Sequence, residues 1–323
     1  MRTLCRIDIG SACLMAGYLA DGAYFLAADG VMHVARPESR HAIRLHQGDI
    51  LAAQRLPGGG LLSAGEDGCL MSTSGEGAIC LARTGNKWVS ALAVAKDGTV
   101  AYASGRMVWL QESEGTWSEH PQARAVESLA FDGTGRLLAM GLYDGVMLHE
   151  RGHAGPPRCL PWKGVSTRMA FSADGRFLIM AIRNAALHGW CLDTSRHFRM
   201  LGYAQPVTDW SWTPDRCWLA TNGSAGAALW PFAAQTGPVG LAPLELGVRP
   251  QHHVTAVACH PIQRWIAVGY SDGAIILESL DGDRRKIIGQ AGRDALAALA
   301  WHPDGTRLAY GSQSGSCGAI LVT

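Results

Sequence analysis

One motif recurs along these 323 residues: two short apolar runs joined by a turn. The turn residue between the runs is, in order, Gly22, Gly59, Gly98, Gly135, Gly175, Arg216, Gln263 and Gly305. Successive copies lie 37, 39, 37, 40, 41, 47 and 42 residues apart. A period near 40 residues restricts the chain to folds that repeat one supersecondary unit. The clearest copy is Val254–Glu278, with runs VTAVAC, WIAVGY and AIILE. Val, Ile, Trp and Tyr favour strands, and the Asp-Gly of Ser271-Asp272-Gly273 is a strong hairpin signal. Three antiparallel strands in sequence follow, and a period of this length accommodates a four-stranded propeller blade.

Columns of the repeat support the spacing. Val254, Val257 and Cys259 align with Val89, Leu92 and Val94, with Val126, Leu129 and Phe131, and with Leu296, Leu299 and Trp301. Many of these runs are apolar at every position. Strands with one wet face alternate instead, so both faces of each sheet must be covered, as in radially stacked blades. Units one and two fit least well, because Arg55 stands in an apolar column and unit one opens with Cys13. The expected fold is therefore an all-β, closed β-propeller of four-stranded antiparallel blades. Eight blades are expected, with seven as the alternative, in a single domain over 1–323. Unit eight runs out of chain after three strands, so the segment at residues 2–9 is expected to supply its outer strand and close the ring.

The motifs AFSADGR (170–176), AWHPDGTR (300–307), AVAKDGT (93–99) and GYSDGAI (269–275) resemble those of the WD-repeat (Trp-Asp repeat) β-propeller family. The resemblance spans nearly the whole chain in degenerate form. No Trp-Asp dipeptide occurs, no Gly-His precedes a first strand, and the third-strand tryptophan appears only as Trp109, Trp190 and Trp230. These departures predict a weakened side-chain hydrogen-bond network. The resemblance implies a contact face made by the loops before the first strand and after the second. Here those loops carry Trp88, Arg124, Tyr143, Lys163, Arg183, Asn184, His252, His253 and Tyr270.

Lys and Arg total 28 against 27 Asp and Glu, which gives no electrostatic case for nucleic acid or an anionic membrane as partner. The run Asp281–Lys286 is basic at one end only and reads as a solvated turn. The nine cysteines follow no framework spacing and fit free thiols in a reducing compartment, hence the cytoplasm. Gly10-Ser11-Ala12-Cys13 is faintly like a lipoprotein cleavage site, but Asp8 interrupts the apolar stretch before it.

Catalytic and metal signatures are sparse. The twelve histidines include no His-Glu-x-x-His, the cysteines no Cys-x-x-Cys, and no Gly-x-Ser-x-Gly elbow occurs. His260-Pro261 and His302-Pro303 occupy equivalent turns, and Trp210 and Trp212 share one strand face suited to blade packing. Residues 231–253 form the longest connection, rich in Pro and Gly, and are the expected projecting loop. In a column otherwise small, units five and six carry Arg168 and Asp209, predicting an ion pair on innermost strands near the channel. The expected function is a non-catalytic, monomeric scaffold without cofactor or metal that binds a protein or peptide partner. The alternatives are an accessory or sensor protein in zinc homeostasis and a propeller enzyme with a site in the central channel.

Overall fold

The structure, a computed structural model, describes residues 2–20, 22–85, 87–112, 116–153, 155–290 and 294–322. Every helix or strand among them is a strand, from β1 (Arg2–Asp8) to β32 (Ser316–Leu321). They form eight four-stranded antiparallel sheets, the blades of a β-propeller. Blades one to seven span residues 13–44, 50–83, 91–121, 128–161, 166–200, 210–246 and 254–290. Blade eight takes residues 296–321 plus β1. Eight is thus the blade number, and the two poorly fitting units are genuine blades.

In blade eight β1 pairs with β32, from Arg2 opposite Leu321 to Asp8 opposite Ser316. The N-terminal segment therefore supplies the fourth strand that unit eight lacks. This covers the outer edge of β32, which would otherwise present unpaired backbone groups.

The blades group into two compact units, Met1–Arg44 with Gly202–Thr323, and Leu45–Leu201. In each unit the core lies between successive sheets. In the second, Leu148 and Leu160 of blade four pack with Leu178, Met180 and Trp190 of blade five. In the first, Ala220 and Leu229 of blade six pack with Val257, Ile266 and Val268 of blade seven. Ile275 and Leu277 of blade seven then meet Leu308 and Tyr310 of blade eight. Second strands such as Leu61–Gly65, Val100–Ser104 and Phe177–Ile182 are buried at every residue, which is why their sequences do not alternate.

A feature invisible in the sequence recurs in the first strand. Its register slips between Cys13 and Met15, Ile50 and Ala52, Ser166 and Arg168, Val254 and Ala256, and Leu296 and Ala298. Such irregularities re-aim the side chains around them. The 231–253 connection is also more structured than expected. It contains the fourth strand of blade six, Leu244–Leu246, paired with Ala227–Leu229.

Candidate partner-binding loops

Six of the residues expected at a contact face lie in the second unit, on one loop edge of its sheets. That edge carries each connection into a first strand and each hairpin after a second strand. The connections are pinned to the preceding hairpins by backbone hydrogen bonds. Val89 N donates to Gly65 O at 3.1 Å, Val126 N to Gly105 O at 2.8 Å, and Gly164 N to Tyr143 O at 2.8 Å. Trp88 and Tyr143 are 58% and 56% exposed, unusual for side chains of this size. Arg124, Lys163, Arg183 and Asn184 are exposed too. Arg124 Nε lies 3.8 Å from Asp144 Oδ2, and Trp162 N donates to Asp144 O at 3.2 Å. Arg124, Tyr143 and Lys163 are thereby held on one continuous stretch.

Under the Lys163 connection sits an uncommon aromatic cluster. The His188 ring stacks on Trp162 at 3.6 Å, meets Trp190 edge-on at 4.5 Å and lies 5.2 Å from the His197 ring. The Arg199 guanidinium lies 5.8 Å from the Trp162 ring. His188 is 0% exposed. Neither of its ring nitrogens, nor the Trp162 indole nitrogen, has a hydrogen-bond partner among the described residues. Burial pushes the His188 imidazole down to about 3, aided by the charges of His197 and Arg199, so at neutral pH it is uncharged. Polar groups buried without partners are rare, and three of them meet in this one cluster. Sequence reasoning missed it because His188 fills an ordinary third-strand position.

The first unit holds the other three expected residues, and one is corrected. Tyr270 is 0% exposed and cannot face a partner. Its hydroxyl donates to Gly247 O, and its ring lies under the Arg249 guanidinium at 4.7 Å. Arg249 in turn binds Asp272 through both terminal nitrogens, at 2.9 and 2.8 Å. Tyr270 is a core residue because it ends a strand buried on both faces. His252 is half-buried, with Nε2 3.5 Å from Asp272, and His253 is exposed.

Arg168 is exposed on the first strand of blade five, in the second unit. Asp209 precedes the first strand of blade six, in the first unit, and its Oδ2 accepts from Val257 N at 2.9 Å. Trp210 is buried and Trp212 meets Phe232 edge-on at 5.1 Å, both in packing roles. His260 Nδ1 accepts from Ile262 N and Gln263 N, and His302 Nδ1 from Asp304 N, so both histidines act as turn acceptors.

The hydrogen-bond network is less weakened than its motifs suggest. In blade two His46 Nδ1 lies 2.9 Å from Asp67 Oδ1 and Nε2 lies 2.8 Å from Ser63 Oγ. With Nδ1–H donated to the carboxylate, Nε2 accepts from the Ser63 hydroxyl. Burial pushes the Asp67 carboxyl up, but bonds from His46 and from the amides of Gln47 and Cys69 outweigh it and hold it below the usual value. Gly65 leaves room for the imidazole: a Cβ there would lie 2.6 Å from His46 Nδ1. The trio has the residue types of a hydrolase triad, yet Ser63 is 0% exposed and its oxygen is sealed from substrate. It is a clasp between the connection, the second strand and the following hairpin. Blade six closes the same junction with other residues. There Trp230 Nε1 donates to Tyr203 Oη at 2.6 Å, and Tyr203 Oη lies 2.8 Å from Thr221 Oγ1. Among the described residues no group of three or more His, Cys, Asp or Glu is placed to hold a metal ion. No helix among them is long and apolar enough to cross a membrane.

Comparison with known proteins agrees with this architecture. Residues 245–277, which hold most of blade seven, match the family model of the WD domain, G-beta repeat. No curated protein matches the chain in sequence. Among solved structures, the chain is similar to Ika8, a computationally designed protein, with a TM-score of 0.78 and 18% identity over 100% of both chains. It is also similar to a chain in the crystal structure of the mitotic checkpoint complex. That match has a TM-score of 0.63 and 17% identity over 84% of this chain and 91% of the other. A recognised repeat within eight four-stranded blades supports a WD-repeat β-propeller of degenerate repeats.

Proposed function

We propose that this protein is a non-catalytic scaffold that binds a protein or peptide partner on the loop edge bearing Trp88, Arg124, Tyr143, Lys163, Arg183 and Asn184. The observation that carries the reading is the pair of half-exposed aromatics, Trp88 and Tyr143, on loops pinned by backbone hydrogen bonds. Large aromatics and arginines dominate binding energy at interfaces, and loops already fixed lose little freedom on association. The three unpartnered polar atoms of Trp162 and His188 lie under the same edge. His252 and His253 extend the proposal to the matching loop of blade seven. The similar chain from the mitotic checkpoint complex belongs to a multiprotein assembly, which is in keeping with a scaffold. Nine cysteines without a disulfide suit a reducing compartment, and we place the protein in the cytoplasm as part of this reading.

The test is affinity capture from native lysate with the wild-type protein and a Trp88→Ala/Tyr143→Ala variant, read by mass spectrometry. The reading expects partners retained by the wild type and lost by the variant at unchanged thermal stability. Identical captures would remove this edge from consideration.

A further inference from the structure

Blades three to five carry their loop charges unevenly. At the edge bearing Trp88 and Tyr143 the loops are residues 84–90, 105–106, 122–127, 143–144, 162–165 and 183–185. They hold five cations, Lys87, Arg106, Arg124, Lys163 and Arg183, against two acids, Glu127 and Asp144. All seven side chains belong to exposed residues. At the opposite edge the loops of the same blades hold, among the described residues, five Lys or Arg against five Asp or Glu. Three of those cations are held by carboxylates: Arg151 by Asp97 at 2.9 Å, Arg176 by Asp174 at 2.6 Å and Arg136 by Glu150 at 2.9 Å. At the first edge Arg124 meets Asp144 only at 3.8 Å, with both side chains more than half exposed. Among the described residues Lys87, Arg106, Lys163 and Arg183 have no side-chain partner. Like charges left unpaired along one edge repel one another, and a partner of complementary potential relieves that repulsion.

The basic loops form one belt. Ser90 Oγ donates to Val126 O at 3.3 Å, Gln122 N to Arg106 O at 2.8 Å, and Trp162 N to Asp144 O at 3.2 Å. Trp88 follows Lys87, and Tyr143 lies on the stretch that joins the Arg124 and Lys163 loops. In blade two the loops of the same edge turn acidic, with Asp49, Glu66 and Asp67.

We propose that the partner of this edge is an acidic protein segment, rich in Asp and Glu and carrying an apolar side chain. The inference rests on the partner-binding reading above and adds the partner's chemistry to it. Carboxylates of the segment pair with the cations of the belt, and its apolar group lies on Trp88 or Tyr143. A protein segment suits the belt better than a nucleic acid does. The cations stand singly on separate loops, Glu127 and Asp144 interrupt them, and the acids of blade two follow, so a continuous phosphate backbone would be repelled at each of these points.

The probe is a fluorescein-labelled peptide of repeated Glu-Glu-Phe, titrated into the full chain by fluorescence anisotropy, with repeated Gln-Gln-Phe as control. The acidic peptide is expected to bind with a Kd at or below about 100 μM at about 50 mM salt, and at least about fivefold more weakly at about 300 mM. The Gln peptide should bind at least about tenfold more weakly than the acidic one. The variant Arg106→Glu/Lys163→Glu should keep the melting temperature, weaken the acidic peptide at least about tenfold and leave the Gln peptide unchanged. No saturable binding, equal affinity for the two peptides, affinity untouched by the charge reversal, or an oligothymidylate bound as tightly as the acidic peptide would each overturn the proposal. The two readings fail separately. Lysate capture that depends on Trp88 and Tyr143, with no preference for the acidic peptide, removes the acidic partner alone. Capture that ignores Trp88 and Tyr143 removes the partner-binding edge and the acidic segment with it.

Discussion

Replacing His188 by Phe tests the aromatic cluster most directly. Phe keeps a ring on Trp162 and removes two nitrogens that have no partner. The folded imidazole titrates at about 3 against 6.5 in the unfolded chain, the buried surroundings being the main cause. A group held below its unfolded value contributes stability that is present above 6.5 and is lost as pH falls toward 3. Between pH 7 and about pH 4 the unfolded chain takes up a proton that the folded one refuses, worth about 3 kcal/mol at full value. Solvent around the exposed His197 and Arg199 screens part of this, leaving about 2 kcal/mol. At pH 7 the variant also escapes the cost of two unsatisfied buried nitrogens, a gain of about 1–3 kcal/mol offset by the larger ring. Urea unfolding of both proteins from pH 7 to pH 4 measures the difference directly. The gap should widen with acid by about 2 kcal/mol. A gap that is flat with pH would show that His188 is not held neutral by burial, and the reasoning about the cluster would fail.

Asp67→Ala strands the His46 Nδ1 and the Gln47 and Cys69 amides, and should cost about 2–4 kcal/mol in urea unfolding. The wild-type advantage should shrink as pH falls below the ordinary carboxylate value, because the folded Asp67 titrates lower than the unfolded one. Asp209→Ala leaves the buried Val257 amide without its acceptor and should cost about 1–3 kcal/mol. A double-mutant cycle with Arg168→Ala tests the proposed ion pair: a coupling above about 0.5 kcal/mol supports it, and none removes it. Deleting residues 1–9 bares β32 along its six paired positions and should lower stability by about 3–6 kcal/mol, seen as a lower melting temperature by circular dichroism.

The sequence by itself determined the architecture, because the period of apolar runs joined by a turn repeats eight times, with Gly at six of the turns, and each copy carries its own strand signals. It also placed β1 beside β32, since a unit short of one strand needs another to cover its edge. Exposure was legible only where a residue sits in a turn: Trp88, Tyr143 and Arg183 are exposed as expected, while Tyr270, one residue inside a strand, is buried. Local pattern says that a strand ends, but not which neighbouring blade or connection covers its last side chain. The same limit hid the His46–Asp67–Ser63 clasp, whose members are 17 and 21 residues from the histidine and meet only when connection, strand and hairpin close together. It hid His188 too, an ordinary strand position until Trp162 folds over it. Strands, turns and their number are set by short-range chemistry that every repeat states anew. Which side chains are sealed, clasped or left without a partner depends on how successive sheets meet, and only the tertiary structure decides that.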